Sequence, residues 1–92
     1  MNRTEILEAA AHAVTVDRAA THGEAEQNFD RIAAFWASHL GVEVSAVDVA
    51  VMMALLKIAR IGSTPADPDH WIDMAGYAAC GGGIATRENA NA

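Results

Sequence analysis

The run VDVAVMMALLKIARI, residues 47–61, constrains the fold more than any other stretch, because only Asp48, Lys57 and Arg60 among its fifteen residues are polar. As a helix it is apolar on nearly every face, so it has to be covered on more than one side. It therefore reads as a central helix on which the others pack. The three polar residues agree with that assignment. Asp48 falls in the first turn, where the helix dipole favours a carboxylate, and Lys57 and Arg60 fall in the last two turns, where cations are favoured. Ser45 stands three residues before Asp48 as the first half of a capping box, and Gly62 supplies the stop. The helix is expected over residues 46–61.

The flanking sequence supplies the rest of an all-α domain. Asn2 and Glu5 match a second capping box, after which Ile6, Ala9, Ala10, Ala13 and Val14 recur at helical spacing, predicting a helix over residues 3–16. A polar stretch, DRAATHGEAEQN, follows, with a loop expected at residues 18–23. The stripe Ala25, Phe29, Ile32, Ala33, Trp36 and Leu40 predicts a second helix over 24–40, ended by Gly41. Asp67 and Pro68 start a fourth over 68–80, and Gly81, Gly82 and Gly83 are expected to interrupt or end it, since each costs about 1 kcal/mol in a helix. On that helix Trp71, Met74, Ala75 and Ala78 form an apolar side, and Asp69, Asp73, Gly76, Tyr77 and Cys80 a more polar one. No strand-period alternation competes. The expectation is one compact four-helix domain, residues 1–92, around a buried central helix.

Size and charge narrow the function classes. A chain of 92 residues with 52% hydrophobic and 5% aromatic side chains has one small core of aliphatic residues and alanine. A helix apolar all round in so short a chain favours self-association, so a homo-oligomer, a dimer or higher, is expected. The net charge of −6 leaves no diffuse basic field for DNA or RNA. The single Cys80 forms no internal disulfide and reads as a small buried hydrophobe. With no apolar run long enough to span a membrane and no leader-like start, a cytoplasmic protein is expected.

Within an acidic chain, a few placed cations can still hold an anion. Lys57 and Arg60 lie three apart on one side of the central helix and form the best anion site in the sequence. Arginine brings a planar fork and lysine a mobile point charge. The same two cations would equally serve to neutralise Asp69 and Asp73 on the next helix. Arg18, His22 and Gly23 sit in a polar loop before a helix start, where backbone N–H groups can meet an anion. Tyr77 or Trp36 can stack on a base, although buried aromatics are the default. Asp69 and Asp73, four apart, are the candidate Mg²⁺ ligands, with Asp48 a further acid. His12, His39 and His70 lack zinc-ligand spacing.

The succession Arg18, His22-Gly23, Asn28-Phe29, Ile32-Ala33, Trp36, then DVAVMMALLKIARI, then DHWIDMAGYAA resembles a family of small, mostly phage or prophage-encoded proteins of unknown function. It is also similar to a domain found near phage nucleotide-modification genes and, more distantly, to the MazG-type all-α nucleoside triphosphate pyrophosphohydrolases. Those hydrolases hold Mg²⁺ on a Glu-x-x-Glu and a Glu-x-x-Asp pair. Here Asp69 and Asp73 are spaced differently, and the only Glu-x-x-Glu, Glu5 to Glu8, lies outside the resembling region. The resemblance therefore implies a nucleotide or other phosphate-bearing ligand, bound through Arg18, His22, Gly23, Lys57, Arg60 and Tyr77 with no cofactor. On that reading a phage protein in the host cytoplasm would sequester a host signalling nucleotide against defence. Two alternatives stand beside it: a Mg²⁺-dependent MazG-like pyrophosphohydrolase, and a structural or protein-interaction helical module.

Overall fold

The computed structural model of the chain describes residues 1–17 and 25–91. Among these the architecture is all-α: α1 (Arg3–His12), continued by a single wider π-helical turn (Ala13–Asp17), α2 (Ala25–Leu40), α3 (Ala46–Ser63) and α4 (Pro68–Asn91). The expected start signals operate as the sequence implies, and Gly41 stops α2, whereas α3 runs past Gly62 to Ser63 with Thr64 as its cap. Glu5 N–H donates to the Asn2 side chain at 2.8 Å and Asn2 N–H to the Glu5 carboxylate at 3.0 Å. Asp48 N–H and Ser45 Oγ, at 3.0 Å, and Ser45 N–H and Asp48 Oδ2, at 2.9 Å, close the same box on α3. Gly41 ends α2 with φ 72°, a left-handed value that glycine adopts without a Cβ penalty. At α4, Asp69 N–H donates to Asp67 Oδ1 at 3.0 Å, with Pro68 as the first helical residue.

Helix α1 departs from its expected span by widening after His12. The consecutive β-branched residues Val14, Thr15 and Val16 crowd the preceding turn, and Thr15 Oγ donates to the Ala11 carbonyl at 2.6 Å, competing for the acceptor of the regular ladder.

The larger departure is in α4, which runs through the three glycines as far as Asn91. Gly81 is buried against α3, and a Cβ built on it would stand 2.8 Å from the Ala50 Cβ. Glycine is required there by the closeness of two backbones rather than by a turn. Gly76 plays a milder version of this part against Val14, at 3.1 Å. The inward stripe of α4 is consequently Asp73, Gly76, Tyr77, Cys80, Gly81 and Ile84, while Trp71 and Ala78 are exposed. Of the expected apolar side, Met74 and Ala75 are half-buried and Trp71 and Ala78 exposed, so the packing face is shifted toward Gly76 and Gly81, where the small residues let α4 approach its neighbours.

The core sits where α2, α3 and α4 meet and contains Phe29, Ala33, Ala46, Val49, Ala50 and Ile84. Trp36, Tyr77 and the half-buried Cys80 pack against it. Helix α4 packs on each of α1, α2 and α3, and the expectation of a buried central helix over residues 46–61 is corrected: α3 packs on α2 and α4 with one side only, because the other three helices do not reach around it. The inward half of α3 buries Ala46, Val49, Ala50 and Lys57, whereas its outward half, including Val51, Leu55 and Ile58, is open within one chain.

Two glycine substitutions one residue apart should have opposite signs. Gly81→Ala should be net destabilising, because overpacking costs about 1–3 kcal/mol against a helix-propensity gain of about 1 kcal/mol. Gly82→Ala, whose Cβ meets nothing within 4 Å, should stabilise by about 0.5–1 kcal/mol. Urea unfolding of both variants checks this; equal effects would remove the close approach as the reason for Gly81.

Candidate functional site

The chemistry of the described residues centres on one ion pair. Lys57 is the only buried charged residue among them, at 9% exposure. Its place near the end of α3, on the side facing α4, buries the aliphatic stem between the two helices. Its Nζ donates to Asp73 Oδ2 at 2.7 Å, and the Asp73 side chain is 42% exposed. The cation is thus interior and the carboxylate lies at the rim. An ammonium carries three donors, so its buried position makes Asp73 an important partner.

Tyr77 follows Asp73 by one helical turn and is half-buried, with its ring 6.4 Å from that of Phe29 and tilted by 37°. Asp73, Gly76 and Tyr77 line a small cavity with Ala13, Val14 and Ile72, of about 40 Å³. A space of that size holds a water molecule or a single small polar group. It does not hold a nucleobase.

The other sequence candidates are distributed differently. Arg60 is exposed and makes no ion pair among the described residues, so it does not share the interior position of Lys57. Asp69 is exposed in the first turn of α4. Among the described residues no three His, Cys, Asp or Glu side chains gather as a metal site. Arg18, His22 and Gly23 lie outside the described residues. Trp36 packs against the core.

Two surface features were not legible in the sequence. An open hollow of about 550 Å³ lies between the start of α1 and the α3–α4 connection, with Arg3, Leu7, Pro65, Pro68 and Trp71 on its walls. Trp71 is held there by its indole N–H, which donates to the Pro65 carbonyl at 2.9 Å. A second groove of about 470 Å³ runs along the outer side of α3 and α4 and has no charged residue in its lining. Both arise from pairs of segments distant in sequence. At the other side of α4, Arg87 bonds Glu26 of α2, a link made possible because α4 continues past the glycines.

These features define a small all-α domain with a buried lysine on α3 and no helix long and apolar enough to cross a membrane among the described residues. Residues 5–85 match the family model described as Domain of unknown function (DUF6378), and the chain belongs to that family. Its similarity to phage proteins is direct. It is 41% identical over 75 residues to the Gene 55 protein of Mycobacterium phage D29, covering 82% of this chain and 50% of that protein. It is 45% identical over 74 residues to the Gene 55 protein of Mycobacterium phage L5, covering 79% and 47% respectively. The chain thus spans about half the length of these curated relatives. No solved structure matches it. The expected membership of a phage family of unknown function holds.

The asymmetry of the ion pair predicts asymmetric mutants. Asp73→Ala leaves a buried ammonium without its acceptor and should destabilise by about 1–3 kcal/mol. Lys57→Met keeps the stem volume and leaves only a half-exposed carboxylate to be hydrated, so it should cost less. Chemical denaturation of both single variants and the double variant gives the coupling directly; equal single-mutant losses would contradict the interior placement of the cation.

Proposed function

We propose that the protein binds a phosphate-bearing, nucleotide-like ligand at the Lys57–Asp73 edge of the α3–α4 interface and retains it without turnover. The observation that carries this reading is the burial of Lys57 behind a half-exposed partner. A largely desolvated ammonium interacts more strongly with an arriving anion than a surface lysine does, because less water screens it. Asp73, reachable from solvent, then acts as the group that a phosphate displaces or shares. Arg60, exposed near the end of the same helix, supplies a second, mobile cation, and Tyr77 an aromatic edge and a hydroxyl. Arg18, His22 and the Gly23 backbone complete the anion set in this proposal.

Retention is preferred to hydrolysis because Asp73, one of the two candidate metal ligands, is engaged by Lys57. A member of a phage family that holds a host signalling nucleotide intact would act stoichiometrically, by sequestration. That is the sense in which the binding reading becomes an anti-defence function.

The test is a thermal-shift screen of linear and cyclic nucleotides, with and without Mg²⁺, followed by chromatography of each ligand that raises the midpoint. A ligand at a hundredfold excess over Kd should add about 2.7 kcal/mol, and Lys57→Met should abolish the shift. Recovery of the ligand intact supports the proposal. Cleavage only with Mg²⁺ replaces it with pyrophosphohydrolysis, and no shift with any nucleotide removes it.

A further inference from the structure

The outward half of α3 carries Ile58, Val51, Leu55, Ala59, Met52 and Leu56 in succession around the helix, with polar residues only at its two ends, Asp48 and Ser63. The five large side chains are between 41 and 56% exposed. Together they present on the order of 400 Å² of apolar surface, the size of patch that marks an interaction site. Two such faces brought together, with their rims, approach the roughly 1,200 Å² of the smaller specific interfaces.

The shape beside this face says what covers it. Val51, Leu55 and Ile58, at spacings of four and three, form a ridge. Directly alongside runs the 470 Å³ groove, whose α4 wall is made of Ala78, Gly81, Gly82 and Ala85. A ridge of large side chains next to a shelf of small ones, on one surface, is self-complementary: a twofold rotation lays each ridge into the other copy's groove. The helix dipoles select the direction: antiparallel pairing of the two α3 helices sets the positive N-terminal end of each against the negative C-terminal end of the other. A parallel pair would set like against like. The groove lining is uncharged, so the net charge of −6 on each copy is kept out of the contact.

We propose that a second copy of this chain covers α3, the two α3 helices packing antiparallel about a twofold axis near Leu55, with each Val51–Leu55–Ile58 ridge over the other copy's Ala78, Gly82 and Ala85. Helices α3 and α4 of both copies then form a four-helix bundle. Tyr77, which lines one end of the groove, comes to lie beside the interface. This inference stands independently of any ligand.

Light scattering coupled to size exclusion tests it on the purified chain. The wild type should elute at twice the monomer mass of 9.7 kDa. Leu55→Glu, at an exposed position, should elute at the monomer mass with an unchanged helical circular dichroism spectrum. Gly82→Trp fills the groove and should shift the population toward monomer. In a Cys80→Ser background, Leu55→Cys should be joined into dimers by a short bismaleimide and Ala11→Cys, exposed on α1, should not. A wild type that stays monomeric throughout the micromolar range overturns the proposal and gives the face to a different partner. So does a folded Leu55→Glu that remains dimeric. If Leu55→Glu fails to fold, the crosslink decides: no dimer from Leu55→Cys removes the antiparallel pairing.

Discussion

The distance between α3 and α4 at Ala50 and Gly81 governs the rest of the molecule. With no Cβ on Gly81, the two helices come close enough that any larger residue there would collide with Ala50. That approach lets the Lys57 ammonium meet a carboxylate on the neighbouring helix at 2.7 Å. It also carries α4 onward, so that Ile84 enters the core beside Phe29 and Val49. Helix propensity argues against three consecutive glycines, yet the loss of about 1 kcal/mol at each is offset by burial of Ile84 and by the packing of two helices along their length. A weak local preference has yielded to tertiary contact.

Helix α3 divides its work between two faces. The inward one is built of Ala46, Val49 and Ala50, with Lys57 as its single charge; the outward one is built of large aliphatic side chains and almost nothing else. The inward face explains why a cation survives inside a small core: its stem packs as a hydrocarbon while its head reaches a carboxylate at the rim. The outward face explains why a 92-residue chain carries more apolar surface than its own three other helices cover. Anion binding and self-association are therefore compatible, because they draw on opposite sides of one element, with Tyr77 of α4 between them.

Much of the fold was legible in the residues because its signals are local. The capping boxes at Asn2 and Ser45, the glycine at the end of α2 and the Asp-Pro start of α4 each act within a few residues, and their hydrogen bonds form as the spacing requires. The run from Val47 to Ile61 marked itself as a helix by composition, though composition did not tell which of its sides the chain would cover. The pairing of Lys57 with a carboxylate on the next helix was among the sequence readings, and the structure selects Asp73 over Asp69. The reading of α4 missed part of its packing face because that part is chosen by smallness. Hydrophobic periodicity weights large side chains and is blind to Gly76 and Gly81.

The sequence by itself determined the all-α class, the helix starts, the order of the helices and membership of a phage protein family, since these depend on local hydrogen bonding, on periodicity and on residue identity. Only the tertiary structure decided which of two adjacent cations is interior, that α4 continues through three glycines, and that one half of α3 is left open beside a groove. Those outcomes depend on distances between residues on different helices, such as Lys57 and Asp73 or Ala50 and Gly81, and no local propensity encodes such a distance.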